Sequence, residues 1–198
     1  MRAIVFSGPS ISRNEVEALP GVEWRPPVSQ GDVYRATKTA PDIIVVIDGY
    51  FEGVPSVWHK EILWAMSRGI HLFGSSSMGA LRAAELYPFG MRGVGEIFAD
   101  FRDGILEDDD EVAVLHGPAE LDYPSLSLAM VNARKSITTA MEASIITQPV
   151  AETLVALAKS IFYQQRQWRG IFALARDSGI DASALAALGT WLESNEQD

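Results

Sequence analysis

The 198-residue chain contains no cysteine. That absence excludes disulfides, cysteine-ligated zinc, a catalytic thiol and a protein-bound persulfide. Basic residues are also scarce: 16 Lys and Arg stand against 26 Asp and Glu, for a formal charge of −10, and the basic residues are scattered. A nucleic-acid binder neutralises phosphates with clustered Lys and Arg, so nucleic acid is not an expected partner. No apolar run approaches the roughly 20 residues that span a bilayer. MRAIVFSGPS runs straight into a strand-like segment without a signal-peptide pattern, so the expectation is a soluble, cytoplasmic protein with no membrane partner.

What is present is apolar patterning, with 47% hydrophobic residues, enough for a substantial core. Residues 3–7 (AIVFS) read as a strand closed by Gly8-Pro9, and Ser12-Arg13-Asn14-Glu15 is a capping box opening a short helix. A weak strand, VEWR at 22–25, stops at Pro26-Pro27, and residues 30–38 read as helix. DIIVVIDG at 42–49 is a β-branched run suited to a strand covered on both faces. A helix at 56–69, a strand at 70–74 and a helix ending before Pro88 follow, then a short helix at 94–103. The segment EDDDEVAVLHGP at 107–118 reads as an acidic run before a fifth, peripheral strand.

Alternation of this kind predicts an α/β fold: a Rossmann- or flavodoxin-like, mostly parallel sheet of about five strands with helices on both faces. From residue 125 the pattern is helical only, with helices expected at 125–143, 149–165, 167–178 and 182–193 and fraying over the final ESNEQD. The expected division is an α/β core over 1–120 and an all-helical C-terminal extension over 121–198, packed on that core.

Ligands of open parallel sheets bind beyond the carboxyl ends of the strands. GPS at 8–10, RPP at 25–27, DGYF at 48–51 and GSSSMG at 74–79 each follow a predicted strand, which gathers the glycines, hydroxyls and Asp48 on one edge. Ser75-Ser76-Ser77-Met78-Gly79 fits a strand-to-helix elbow presenting Ser77 as a nucleophile, with the Met78 N–H where an oxyanion would form. The other reading is that Ser76 or Ser77 caps the helix. Of the three histidines, His59 and His116 fall at this edge and His71 at the opposite one. Asp48 could orient a histidine or bind substrate, with Glu61 and Lys60 as alternatives. Arg82 and Glu85 are spaced to pair on the helix surface, yet Arg82 is near enough to the serines to attract an anion. Asp108 to Glu111 resemble a magnesium cluster only loosely and read as a solvated acidic turn.

The stretch IDGYFEGVPSVWHKEILWAMSRGIHLFGSSSMGALRAAEL, with GMRGVGEIF, DDDEVAVLHGPAE, GPSISR and PPVSQGD, closely resembles the TfuA-like family core over residues 3 to about 135. The resemblance implies an accessory protein of a YcaO-type ATP-dependent cyclodehydratase, in pairs that install thioamides in peptide backbones. It points to a small ThiS-type carrier with a C-terminal glycine thiocarboxylate as sulfur donor. No cofactor is expected on this chain, since ATP and magnesium are used by the YcaO partner. A chain without cysteine cannot hold sulfur itself, so it must handle a donor that brings its own.

In that setting Ser77 attacks the thiocarboxylate, His59 acts as base oriented by Asp48 or Glu61, and the Met78 N–H completes an oxyanion hole. Gly8, Ser10, Gly49, Tyr50 and Phe51 would line a slot for the carrier tail, with Lys60, Ser76 and Arg82 beside it. Direct attack by water, with Ser77 as oxyanion donor, gives the same products. The alternative function is a non-catalytic adaptor or allosteric activator that docks YcaO and recruits the donor. The helical extension carries apolar residues from Leu154 to Leu174; exposure of Phe162 or Trp168 there would mark a partner or homo-oligomer surface.

Overall fold

The computed structural model describes residues 1–195 and divides into two compact units, Met1–Ser125 and the residues from Leu126 onward. The expected fraying of 193–198 falls partly outside the described residues: Glu193, Ser194 and Asn195 are helical, and 196–198 are not described.

In the first unit β1 (Ala3–Phe6), β2 (Val22–Arg25), β3 (Ile43–Val46), β4 (His71–Ser75) and β5 (Arg92–Val94) form one sheet in the order β2-β1-β3-β4-β5. Every pairing is parallel. The connecting helices are α1 (Arg13–Glu17), α2 (Asp32–Thr37), α3 (His59–Ser67), α4 (Met78–Leu86) and α5 (Glu96–Arg102). This is the flavodoxin-like α/β arrangement that the alternating pattern predicts. The Ser12–Glu15 capping box is closed in both directions at the start of α1. Sheet residues bury on both faces. Ile4, Phe6, Ile44, Val46 and Leu72 pack on one side with Ile62 and Ala83, and Val5, Ile47 and Val16 pack on the other.

The fifth strand is not where the sequence predicts it. It is the three-residue, glycine-containing RGV at 92–94, an edge strand with Val94 exposed. Among the described residues the segment EDDDEVAVLHGP joins no strand of the sheet; it holds a turn of 3-10 helix at Asp109–Glu111 and one isolated bridge, His116 to Ser125. A β-branched run becomes a strand only when another edge is free to receive it.

Helix α4 lies unusually close to the sheet. A Cβ at Gly79 would sit 1.8 Å from the Val46 carbonyl oxygen and one at Gly74 would sit 2.1 Å from the Gly79 oxygen. The Gly79 N–H donates to the Ile47 carbonyl at 3.0 Å, which pins the first turn of α4 to the end of β3.

The second unit contains α6 (Met130–Glu142), α7 (Gln148–Ser160), α8 (Trp168–Asp177) and α9 (Ala182–Asn195) around a core of Ile137, Leu154, Ile171, Leu188 and their neighbours. Two predicted helices are shorter than their apolar patterns. Helix α6 begins at Met130 rather than 125, and α7 stops at Ser160 rather than 165. The stop has a cause: the fully buried Arg166 donates to the Ala158 and Ile161 carbonyls at 3.0 and 3.2 Å, and so caps the end of α7 with a charged side chain. Trp168 packs against Phe172, whereas Phe162 is exposed. No helix among the described residues is long and apolar enough to cross a membrane.

Candidate functional site

The register aligns Phe6 with Val46 and Val46 with Gly74, so β1, β3 and β4 end level with one another. Between β1 and β3 the chain's connections turn in opposite directions, which is the switch point where such sheets open a crevice. Three side chains meet there. Asp48, 1% exposed, follows β3; Ser10 follows β1; Ser76 follows β4.

Asp48 is surrounded by donors. Its Oδ2 accepts the Gly8 and Ser10 N–H groups at 2.7 and 3.1 Å, and its Oδ1 accepts the Ser10 hydroxyl at 2.6 Å. Ser10 Oγ lies 2.9 Å from Ser76 Oγ. A serine hydroxyl has one hydrogen, and that of Ser10 is directed to Asp48; Ser76 therefore donates to Ser10. The result is a directed chain, Ser76 to Ser10 to Asp48, from the open edge to a buried carboxyl. Burial raises the Asp48 pKa, opposed by the Ser10 and Gly8 hydrogen bonds and by the positive charge of His116. A carboxyl so placed accepts a proton more readily than an exposed one.

Ser76 has φ +58°, a left-handed conformation that a residue with a Cβ adopts at a cost. It is the third residue of Gly74-Ser75-Ser76, and the sharp turn between β4 and α4 occurs at it. Ser77 occupies the N-cap position of α4, but its hydroxyl makes no cap bond. Instead Ser77 is 7% exposed and donates to the Val112 carbonyl at 3.1 Å.

The other predicted residues separate into groups. His59 Nε2 lies 2.7 Å from Glu85 Oε2, and the Arg82 guanidinium donates to the same oxygen at 2.7 Å and to the Val57 carbonyl at 3.1 Å. Among the described residues no hydrogen bond joins His59 to Ser77, Asp48 or Glu61. Glu61 instead accepts three backbone amides, those of Gly31, Tyr34 and Trp58, and so ties the starts of α2 and α3 together. Lys60 is exposed. His71 sits at the amino end of β4, in register with Ile43, on the opposite edge.

Gly8 and Gly49 are buried packing positions: Cβ atoms there would meet Pro27 and Met78 at 2.6 and 2.8 Å. Phe51, Met78 and Arg82 line an open groove of about 360 Å³ along α4, together with Ser56, Glu85 and Asp108. Carboxylate oxygens of Asp108, Asp110 and Glu111 lie within 4.8 Å of one another, with Glu111 buried rather than solvated as the acidic run suggests.

Sequence reading names Ser10, Asp48 and Ser76 but does not connect them, because the links cross from 38 to 66 positions of chain. It misses Tyr123. That ring, buried, stands 6.3 Å from Trp24 and 5.7 Å from His116, and the His116 ring lies 4.8 Å from that of Tyr50. The proline-flanked turn Gly117 to Pro124 is the one local signal for it.

No curated protein matches the chain. A family model described as TfuA-like protein matches residues 48–167, more than half of the sequence and including Asp48, Ser76 and His116. TfuA-like proteins are associated with YcaO-partnered thioamidation, and this chain belongs to the TfuA-like family.

Proposed function

We propose that this protein is an accessory factor of YcaO-dependent backbone thioamidation that binds a thiocarboxylated ThiS-type carrier and hydrolyses it, releasing hydrosulfide for the YcaO partner. The observation that carries the reading is the directed chain from Ser76 through Ser10 to Asp48 at the switch point of the sheet. Family membership supports the setting, and the lack of cysteine requires a sulfur donor from outside the chain.

The chemistry is acyl transfer. Ser76 Oγ attacks the thiocarboxylate carbon; its proton moves to Ser10 as the Ser10 proton moves to Asp48. Amides at the start of α4 face developing negative charge at that helix end. Collapse breaks the C–S bond, and the sulfur leaves with the proton held at Asp48, as hydrosulfide. Water then attacks the ester, a carboxylate and one proton are released, and Ser76 is restored. The geometry favours Ser76 over Ser77, because the Ser77 hydroxyl is buried and already engaged with Val112. The groove bearing Phe51, Met78 and Arg82 is the proposed seat of the carrier tail. ATP and magnesium belong to the YcaO partner, and this step uses neither.

The test is hydrosulfide release from a thiocarboxylated ThiS-type carrier by wild type, Ser76→Ala and Ser77→Ala, each alone and with YcaO. The reading expects release by wild type and a loss of at least ~100-fold in folded Ser76→Ala. If wild type releases no sulfide in any combination but still stimulates YcaO supplied with free sulfide, the adaptor reading replaces it.

A further inference from the structure

Helices α2 and α3 present a face that the crevice does not use. The two are tied together on the inner side by the buried Glu61 carboxylate, which takes amides from the start of each. On the outer side the Tyr34 and Trp64 rings stand 6.3 Å apart, each about half exposed. The Lys38 ammonium lies over the Tyr34 ring at 5.3 Å and the Arg68 guanidinium over the Trp64 ring at 5.6 Å, so two cations flank two aromatic planes. Lys60, exposed, falls one turn before Trp64 on α3 and extends the row toward the start of that helix.

The positive charge of this row is not offset within the sheet unit. Most other Lys and Arg side chains there are ion-paired, from Arg2 with Glu23 to Arg102 with Asp103. Among the described residues Lys38, Lys60 and Arg68 join no carboxylate, and the acids of the two helices are engaged elsewhere: Asp32 with Arg35 and Ser29, Glu61 with its amides. Lys38 and Arg68 stand at the C-caps of their helices, where a cation complements the helix dipole. Lys60 is in the first turn of α3, where the dipole opposes it, so capping does not account for the row. Exposed Trp, Tyr and Arg grouped in this way are what protein interfaces use as anchors.

We propose that this face docks an acidic surface of a protein partner and, resting on the hydrolytic reading above, that the partner is the YcaO enzyme that receives the hydrosulfide. Carboxylates of the partner meet Lys38, Lys60 and Arg68, and apolar stems pack on Tyr34 and Trp64. Lys60 adjoins His59, which is bonded to Glu85 of the groove along α4. A partner lying on α3 therefore borders the seat of the carrier tail without filling it. Nucleic acid is the poorer fit, because Lys38, Lys60 and Arg68 fall short of the roughly six to ten phosphate contacts of a duplex binder and the chain carries a charge of −10.

The test is the affinity of purified YcaO for the full chain, measured by titration calorimetry at about 50 and 200 mM salt. Trp64→Ala and the paired change Lys38→Glu with Arg68→Glu each weaken binding at least ~10-fold, and the pair also flattens the salt dependence. Arg92→Glu, an exposed cation of β5, leaves affinity within about twofold of wild type. Should the reversed pair not fold, Lys38→Gln with Arg68→Gln takes its place with the same expectation. Sulfide release by the protein alone stays at the wild-type rate in all of these variants. No binding of YcaO by wild type, unchanged affinity in the α2–α3 variants, or equal weakening by Arg92→Glu overturns the proposal. A dimer of this chain or a complex with duplex DNA that the same variants abolish, with YcaO affinity unchanged, gives the face to that occupant and also overturns it. Weakened YcaO binding in a protein that releases no sulfide in any combination supports the docking face and overturns the hydrolytic reading.

Discussion

The two units bury charge in opposite ways. In the helical unit Arg166 is sealed, and its guanidinium caps carbonyls at the end of α7. In the sheet unit the buried charges are carboxyls, and two of them differ from each other. Glu61 accepts three backbone amides, whereas Asp48 accepts two amides and a hydroxyl that leads on to Ser76. Burial alone therefore does not mark a site. Arg166 cannot lose its proton in a protein, and Glu61 meets backbone amides that do not exchange protons with substrate. Asp48 alone of the three is wired to an outer hydroxyl.

Removing the sealed charge has the largest effect on stability. Arg166→Leu takes the guanidinium donor from the Ala158 and Ile161 carbonyls, of which Ala158 keeps the Ile161 N–H, and costs about 3 kcal/mol, read by thermal or urea unfolding. Sulfide release per folded molecule stays at the wild-type level. If release fell with Arg166, the division between structural and working charge would break.

Asp48→Asn costs about 2 kcal/mol, because all three partners are donors and an amide offers one acceptor oxygen and a misplaced NH₂. The pH dependence also changes. Since burial raises the native pKa of Asp48, the folded state holds its proton to higher pH than the unfolded chain does. Stability from this group is then greatest below the unfolded carboxyl value, about 3.9, and falls as pH rises toward the native value. Asp48→Asn flattens that segment of the stability profile and abolishes release.

Glu61→Gln has a similar but smaller effect on stability, about 1–2 kcal/mol, by weakening the amide clamp between α2 and α3. It leaves the pH profile of release unchanged. The comparison sharpens here, because two buried carboxyls are removed and one alone alters the chemistry.

The smallest change runs the other way. Ser76→Gly relieves a left-handed residue and stabilises the fold by about 0.5–1 kcal/mol while release is lost. A strained residue that pays for itself only in function is what a working turn requires.

Much of the fold is written locally. Alternating apolar runs and capping residues place β1, β3, β4 and the helices between them, because a buried parallel strand and an amphipathic helix carry different periods. The edge strand β5 is not legible: Arg92-Gly93-Val94 has no β pattern of its own, and it pairs because β4 presents a free edge. The run at 111–118 fails for the converse reason: Val112 and Ala113 are buried, yet among the described residues the run joins no strand and forms one isolated bridge, at His116. At the site, the spacing of small residues locates the serine turn, but which serine turns left-handed depends on how Gly74 and Gly79 let α4 close on β3 and β4. The choice of histidine is set by tertiary contacts. His59 and His116 both fall near the carboxyl edge in sequence, and the fold gives one to Glu85 and the other to the rings of Tyr50 and Tyr123.

The most direct measurement is to mix protein with thiocarboxylated ThiS-type carrier, quench within one turnover, and map the acyl group by mass spectrometry of the peptide spanning residues 71–86. The account predicts a carrier ester on Ser76 that is absent from Ser76→Ala and still present in folded Ser77→Ala. An ester on Ser77, or unimpaired sulfide release by Ser76→Ala, contradicts it.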